Sequence, residues 1–150
     1  MTTYFDTGIL LKLYTAEAES KAVQDFVRRR GEPLRITDLH QAECASALRL
    51  KAFRGDCTEA ESTRALKLIA DDLRNGVLRM VAVDWNAAWE QCRRLAEQHA
   101  ADTGARTLDT LHVACAAQLG AVELATSDRR QTALAVLAGL KPIDPTGSRT

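Results

Sequence analysis

The chain has 150 residues, a length typical of one domain, and 46 % of them are apolar, which argues against an intrinsically disordered protein. Its 20 basic and 20 acidic side chains balance to a net charge of zero, so it is not a uniformly basic protein that coats nucleic acid. Aromatic residues make up only 5 %, which argues against an RNA-binding sheet of stacked aromatic side chains.

Short strand-like segments alternate with segments of helical periodicity along the chain. In chain order the pattern predicts a strand at 3–6, helices at 7–14 and 19–30, a strand at 34–37, a helix at 39–54, a helix from the capping box Thr58–Glu61 to Gly76, a strand at 77–83, a helix at 84–98, a polar loop at 99–106, a helix at 107–119, a strand at 122–126, a helix at 129–138 and a strand at 141–143. This alternation predicts a parallel sheet covered by helices on both faces. We expect one domain over residues 1–150, with residues 144–150 as a loose tail.

The cysteines and the first residues of the chain indicate the cellular compartment in which the protein is expected. The four cysteines, at positions 44, 57, 92 and 115, have no C-x-x-C spacing, so a zinc site is poorly supported. The first residues do not have the pattern of a signal peptide, and no apolar run approaches the ~18 residues of a membrane span. We therefore expect a cytoplasmic protein with reduced cysteines and no membrane association.

Two acids follow predicted strands. Asp6 ends the first strand, and Asp128 comes just after the strand at 122–126. Either carboxylate could simply cap the helix that follows it. In parallel α/β sheets, however, ligands bind at the carboxyl ends of the strands, so both are also candidates for chemistry.

Two further acids lie in predicted helices. Glu43 lies on or beside an apolar stripe with Leu39 and Ala47. It is therefore either a residue of a functional site or a carboxylate at the edge of the stripe that reaches water. Asp109 and His112 are the polar exceptions in a helix that is apolar nearly all round and hence buried. Asp109 also suits a helix N-terminus, and His112 is expected to be a core histidine with its hydrogen bonds satisfied.

The four acids together indicate more than each does alone. Clustered carboxylates repel one another, and such clusters are kept chiefly to bind hard divalent cations. Oxygen ligands favour Mg²⁺ or Mn²⁺ over zinc, and these ions activate water for phosphodiester hydrolysis.

These segments resemble the PIN domain family, particularly its VapC-type toxins of bacterial toxin–antitoxin pairs. The resemblance runs from Tyr4 to about Ile143 and begins with the strand and helix at residues 4–14. Glu43 matches the helical acid of the family. Residues 106–116 match its R-x-x-D-x-x-H-x-A-x-A segment, and residues 126–131 match its closing T-x-D-x-R-Q.

The resemblance implies a Rossmann-like three-layer α/β/α sandwich with a central parallel sheet and a metal-dependent endoribonuclease. It implies that Mg²⁺ or Mn²⁺ is held by Asp6, Glu43, Asp109 and Asp128. It also implies a homodimer and a small antitoxin that blocks the site. The chain departs from the family at Gly8, where a serine is frequent, so that one hydroxyl near the metal is lost.

Other residues are assigned supporting roles. Thr7 and Thr126 would orient a ligand or a phosphate, unless they make only turn and cap bonds. RNA also needs positive contacts to its phosphates, for which the candidates are Arg49, Arg54, Arg106, Arg129 and Arg130. The run at 28–30 is a weaker candidate, because charge runs are usually solvated helix faces.

Three rival functions are weighed. A PIN-like module that binds RNA or protein without catalysis would not need the four acids. A hydrolase resembling the haloacid dehalogenases would open with D-x-D, whereas this chain has Asp6-Thr7-Gly8. A dinucleotide-binding enzyme would carry G-x-G-x-x-G after its first strand, which is absent from this sequence.

Overall fold

The computed structural model describes residues 3–147, which form five strands and seven helices. The strands are β1 (Thr3–Phe5), β2 (Leu34–Ile36), β3 (Leu78–Met80), β4 (Glu123–Ala125) and β5 (Lys141–Ile143). The helices are α1 (Thr7–Leu11), α2 (Ser20–Arg30), α3 (Asp38–Arg54), α4 (Glu59–Arg74), α5 (Trp85–Thr103), α6 (Thr107–Gln118) and α7 (Arg129–Leu137). All strand pairs are parallel, so the predicted α/β class with parallel strands is confirmed. Residues 148–150 of the predicted loose tail lie outside the described residues.

Some predicted boundaries are wrong: the helix predicted at 7–14 ends at Leu11, and the strand predicted at 77–83 is limited to Leu78–Met80. The largest difference is at the end of α5. The polar loop expected at 99–106 is helical as far as Thr103, because α5 continues five residues beyond its predicted end. Ala100 and Ala101 are strong helix formers, and the helix ends only where Gly104 takes a left-handed conformation, with φ of 69°. The amide of Gly104 donates to the carbonyl of Ala100 and closes the last turn.

The chain divides into two compact units. The first unit comprises Met1–Ile9 and Ala82–Thr150, and its strands pair in the order β1-β4-β5. The register places Tyr4 opposite Leu124 and Phe5 opposite Ala125. In α6, residues 110–116 are all buried, as the nearly unbroken apolar composition of this helix predicts.

The second unit comprises Leu10–Val81 and contains the parallel pair β2-β3. Its helices begin where the sequence predicts, because the caps are local. Thr37 caps α3 in a box with His40, and Thr58 caps α4 in a box with Glu61. Leu48 is buried in the core of this unit.

Candidate functional site

The carboxyl ends of β1 and β4 bring two of the predicted site acids into one hydrogen-bonded chain. Since Phe5 pairs with Ala125, the next residues, Asp6 and Thr126, lie side by side. The hydroxyl of Thr126 donates to Oδ2 of Asp6 at 2.5 Å and accepts from the backbone N–H of Asp128 at 3.1 Å. Thr126 therefore links the carboxylate of Asp6 to the backbone of Asp128.

Asp6 is a buried carboxylate with a partner on each oxygen. Its residue surface is only 8 % exposed, and Oδ1 accepts from the backbone N–H of Ile9 at 2.7 Å. The capping interpretation of Asp6 is thus correct for α1. A buried carboxylate is costly unless it is paired, so these bonds account for its stability at this position and hold its orientation.

Asp109 lies in the first turn of α6 and forms a capping box with Arg106. Oδ2 of Asp109 accepts from the backbone N–H of Arg106 at 3.0 Å, and Nε of Arg106 lies 3.5 Å away. The carbonyl of Asp109 accepts from the side-chain amide of Gln131 at 3.3 Å, which ties α6 to α7. The Asp109 side chain keeps 18 % exposure and is therefore accessible to a ligand.

Asp128 caps α7 and is the most strongly paired of these acids. Its Oδ1 accepts from the backbone N–H groups of Arg130 and Gln131, and Nη2 of Arg130 lies 3.0 Å from Oδ2. The Arg130 side chain, helped by both backbone donors, outweighs partial burial and lowers the pKa of Asp128. The pKa of Arg130 is raised in turn, chiefly by Asp128 and more weakly by Asp109. Arg130 thus lies in the electrostatic field of two predicted site acids.

Glu43 lies on α3, in the second unit, and is half-buried. Its helical neighbours Leu39 and Ala47 are also half-buried, which agrees with a position at the edge of the apolar stripe. Burial, together with the carboxylate of Glu43, raises the pKa of the Cys44 thiol to about 12. Cys44 is therefore a protonated, inert side chain at neutral pH.

The donor atoms of the first unit suit a hard divalent cation. Asp6, Asp109, Asp128 and Thr126 offer only oxygen atoms, which Mg²⁺ and Mn²⁺ prefer. In residues 3–147, however, no group of three or more His, Cys, Asp or Glu side chains could hold a metal ion. Arg106 and Arg130 contact Asp109 and Asp128 instead.

His112 has a larger part in this region than the sequence indicates. It is 3 % exposed, with the Tyr4 hydroxyl 2.9 Å from Nδ1 and the Thr7 hydroxyl 3.2 Å from Nε2. The expectation of a core histidine with satisfied nitrogens is confirmed. The contact with Thr7, beside Asp6, was not foreseen, although the position of His112 one turn after Asp109 was a signal.

The predicted phosphate-binding arginines differ in their surroundings. Arg49, Arg54 and Arg129 are all exposed, and Nη1 of Arg49 also bonds the hydroxyls of Ser62 and Thr63. The Arg106 side chain is 72 % exposed, and it lines a groove of about 510 Å³ beside Trp89.

The run at 28–30 fits a solvated helix face. Arg28 pairs with Asp25, and the guanidinium of Arg30 lies 4.9 Å from the centre of the Phe26 ring. These contacts are local to α2.

The chain therefore has a parallel α/β fold with Asp6 and Asp128 just beyond the carboxyl ends of β1 and β4. The profile of the family described as PIN domain matches residues 3–137, so the chain belongs to the PIN domain family. PIN domains are generally nucleases, and these nucleases are generally dependent on divalent metals.

One solved structure with a similar fold is described as FitAcB from Neisseria gonorrhoeae. The match has a TM-score of 0.59 and 16 % sequence identity, and it covers 97 % of this chain and 99 % of that one. No curated protein sequence matches this chain. Among the described residues, none of the helices is long and apolar enough to span a membrane.

Proposed function

We propose that this chain is an endoribonuclease that hydrolyses RNA phosphodiester bonds with Mg²⁺ or Mn²⁺, and that it is the toxin of a VapBC-type pair. The observation that carries the proposal is the link from Asp6 through Thr126 to Asp128 at two adjacent strand ends of a PIN domain. A scaffold needs no buried carboxylate at this position, because burying one is costly.

The acids supply the proposed metal ligands. Asp6 and Asp109 are the central pair, and Glu43 and Asp128 complete the set directly or through waters, since Mg²⁺ commonly keeps several waters. A divalent cation held by these residues would supply a more acidic water molecule and offset the charge that develops at the phosphorus. Thr126 holds the carboxylate of Asp6 in one orientation, and Thr7, the residue after Asp6, carries the second hydroxyl of the proposed site.

The arginines supply the contacts to the RNA backbone. Arg106 and Arg130 pair with Asp109 and Asp128, and both guanidinium side chains are partly exposed. If a cation neutralised these carboxylates, each guanidinium would be available to bind a phosphate. Arg129, Arg54 and Arg49 extend the positive surface in this proposal.

The assembly is part of the proposal. We propose a cytoplasmic homodimer whose acidic site is blocked by a small antitoxin. Light scattering of the purified chain tests the dimer. Co-purification with the product of a small neighbouring reading frame tests the antitoxin, and a monomer that binds no such product contradicts this part.

The first prediction tests the metal ligands by replacing carboxylates with amides. Asparagine still caps a helix, so Asp6→Asn and Asp109→Asn remove charge while they preserve the cap. We expect each variant to cut RNA on the order of 100-fold more slowly than the wild type and to bind Mn²⁺ more weakly. The measurements are cleavage of total RNA with mapped cut sites and calorimetric Mn²⁺ titration.

The matched control is Asp84→Asn. Asp84 caps α5, with Oδ1 accepting from the N–H of Ala87 at 3.1 Å, and it is not one of the predicted ligands. It should retain full activity. Full activity of either site variant, or of the wild type in excess chelator, would contradict the proposed metal-dependent mechanism.

A specific observation favours a second candidate, the non-catalytic module. Helix capping accounts for the positions of Asp6, Asp109 and Asp128, and the side chains of the described region form no metal-binding cluster. A module that binds RNA or a protein would keep RNA or partner affinity but take up no Mn²⁺ at millimolar concentration. The same titration therefore separates the two candidates.

A further inference from the structure

A chain of buried polar groups runs behind the candidate site, entirely within the first unit. The Tyr4 hydroxyl lies 2.9 Å from Nδ1 of His112, and Nε2 of the same ring lies 3.2 Å from the hydroxyl of Thr7. Tyr4, Thr7 and His112 are 4 %, 6 % and 3 % exposed. A neutral imidazole has one donor and one acceptor nitrogen, so the proton on one nitrogen fixes the direction of both bonds.

The chemistry of the three groups favours one direction. A phenol is a good donor and a weak base, whereas the unprotonated nitrogen of imidazole is a strong acceptor. The stable arrangement is therefore a Tyr4 O–H that donates to Nδ1, which leaves the proton on Nε2. The Nε2–Oγ1 distance of 3.2 Å agrees with an N–H donor, because hydroxyl donors usually make shorter bonds.

The other neighbour of Tyr4 is consistent with this direction. The hydroxyl of Tyr4 also bonds the thiol of Cys115, which is fully buried. Burial, with a smaller effect of Cys92, raises the pKa of Cys115 to about 11, although the bond to Tyr4 opposes the rise. The thiol therefore keeps its proton at neutral pH and does not compete as an anion for the Tyr4 proton.

We propose that His112 is a positioning residue: as the Nε2–H tautomer set by Tyr4, it donates to Thr7 and turns the Thr7 hydroxyl hydrogen towards a phosphate oxygen of bound RNA. Each donor in the chain points the same way, and aligned hydrogen bonds strengthen one another. The proposal deepens the nuclease function and rests on it for the identity of the acceptor. It assigns His112 no contact with RNA or metal.

The first test reads the tautomer directly. Long-range ¹H–¹⁵N correlation spectra of the full chain at pH 7 distinguish Nδ1–H, Nε2–H and imidazolium forms. We expect Nε2–H for His112, with its signals assigned by their loss in His112→Gln. His40 is an internal reference, because its Nδ1 accepts from the N–H of Thr37 and its proton must lie on Nε2. A protonated Nδ1 on His112 overturns the proposal.

The second test is a double-mutant cycle. Tyr4→Phe removes one hydroxyl, so both tautomers become accessible, and Thr7→Val removes the group that His112 orients. We expect each change to slow single-turnover cleavage by about tenfold, with little effect on KM. The double variant should be no slower than Thr7→Val, because Tyr4 acts only through Thr7.

The control for packing is Tyr14→Phe, which removes a hydroxyl bonded to Asp72 at 2.6 Å in the other unit and should leave cleavage unchanged. If the effects of Tyr4→Phe and Thr7→Val on the cleavage rate were additive, Tyr4 would have only a structural role. This result would overturn the proposal. The tautomer measurement needs neither RNA nor metal. Its failure is therefore distinct from failure of the nuclease function.

Discussion

The candidate carboxylates each perform two tasks at the level of the single residue. Asp6, Asp109 and Asp128 accept backbone N–H groups at helix starts, and the same atoms are the proposed metal ligands. Capping restricts the carboxylates before any ligand arrives, which lowers the entropic cost of binding. Arg130 already pairs with Asp128, so a cation at the proposed site would have to displace this positive charge.

Arg130→Ala tests the pairing of Arg130 with Asp128. The side chain of Arg130 is the largest cause of the low pKa of Asp128, so the variant should raise this pKa while the backbone donors at 130 and 131 remain. Carboxyl ¹³C NMR titration measures the change. Arg129→Ala, at the next position of the same helix start, is the control. An unchanged Asp128 pKa in Arg130→Ala contradicts the assignment.

At the level of elements, local chemistry determines where helices begin and end. Thr58 caps α4 where the sequence predicts a capping box, because a cap and its partner are only three residues apart. Thr37 and Asp84 cap α3 and α5 through partners at the same spacing. The end of α5 lies later than predicted, because the helix continues through Ala100 and Ala101 and stops only at the left-handed Gly104. Gly8 in α1 has no left-handed requirement, and an added Cβ would lie 3.4 Å from Oδ1 of Asp6.

Gly8→Ala should stabilise the protein by about 0.5–1 kcal/mol, because alanine loses less backbone entropy and fits this site. The matched change is Gly55→Ala, at the end of α3, where φ is 79° and the space is open. It should destabilise by about 1–2 kcal/mol through backbone strain alone. Urea unfolding measures the free energy of unfolding of both variants. An equal loss of stability in Gly8→Ala and Gly55→Ala would contradict the conclusion that alanine fits at position 8.

At the level of the whole molecule, the net charge of zero does not reveal that some charged side chains form strong ion pairs. In the second unit, the carboxylate of Glu17 accepts from Lys12 at 2.9 Å, from Thr15 at 2.9 Å and from Lys51 at 3.1 Å. Burial alone would raise the pKa of Glu17, but these donors outweigh it and lower the pKa to about 2. The group lines a cavity of about 280 Å³ with Leu48.

This low pKa makes the stability of the fold depend on pH. Because the folded pKa lies below the ordinary value of 4.5, the stabilisation is complete above that pH and is lost as the pH falls towards about 2. Glu17→Gln should be less stable at neutral pH and lose less stability between pH 4.5 and 2. Urea unfolding between pH 4.5 and 2 measures the free energy of unfolding of each variant. Glu32→Gln, in an exposed loop, is the control. Parallel pH curves for wild type and Glu17→Gln would refute it.

The sequence alone determined the order and type of the elements and the identities of the candidate acids. Periodicity, capping and turn chemistry act over a few residues, so they can be read without the fold. It also indicated that α6 is buried, because an all-round apolar helix has no face suited to water.

Only the tertiary structure decided which groups meet. The pairing of β1 with β4 joins Thr126 to Asp6 across 120 residues, and the packing of α6 places His112 between Tyr4 and Thr7. Such contacts depend on strand register and on side-chain orientation in the packed core, which no spacing along the chain specifies.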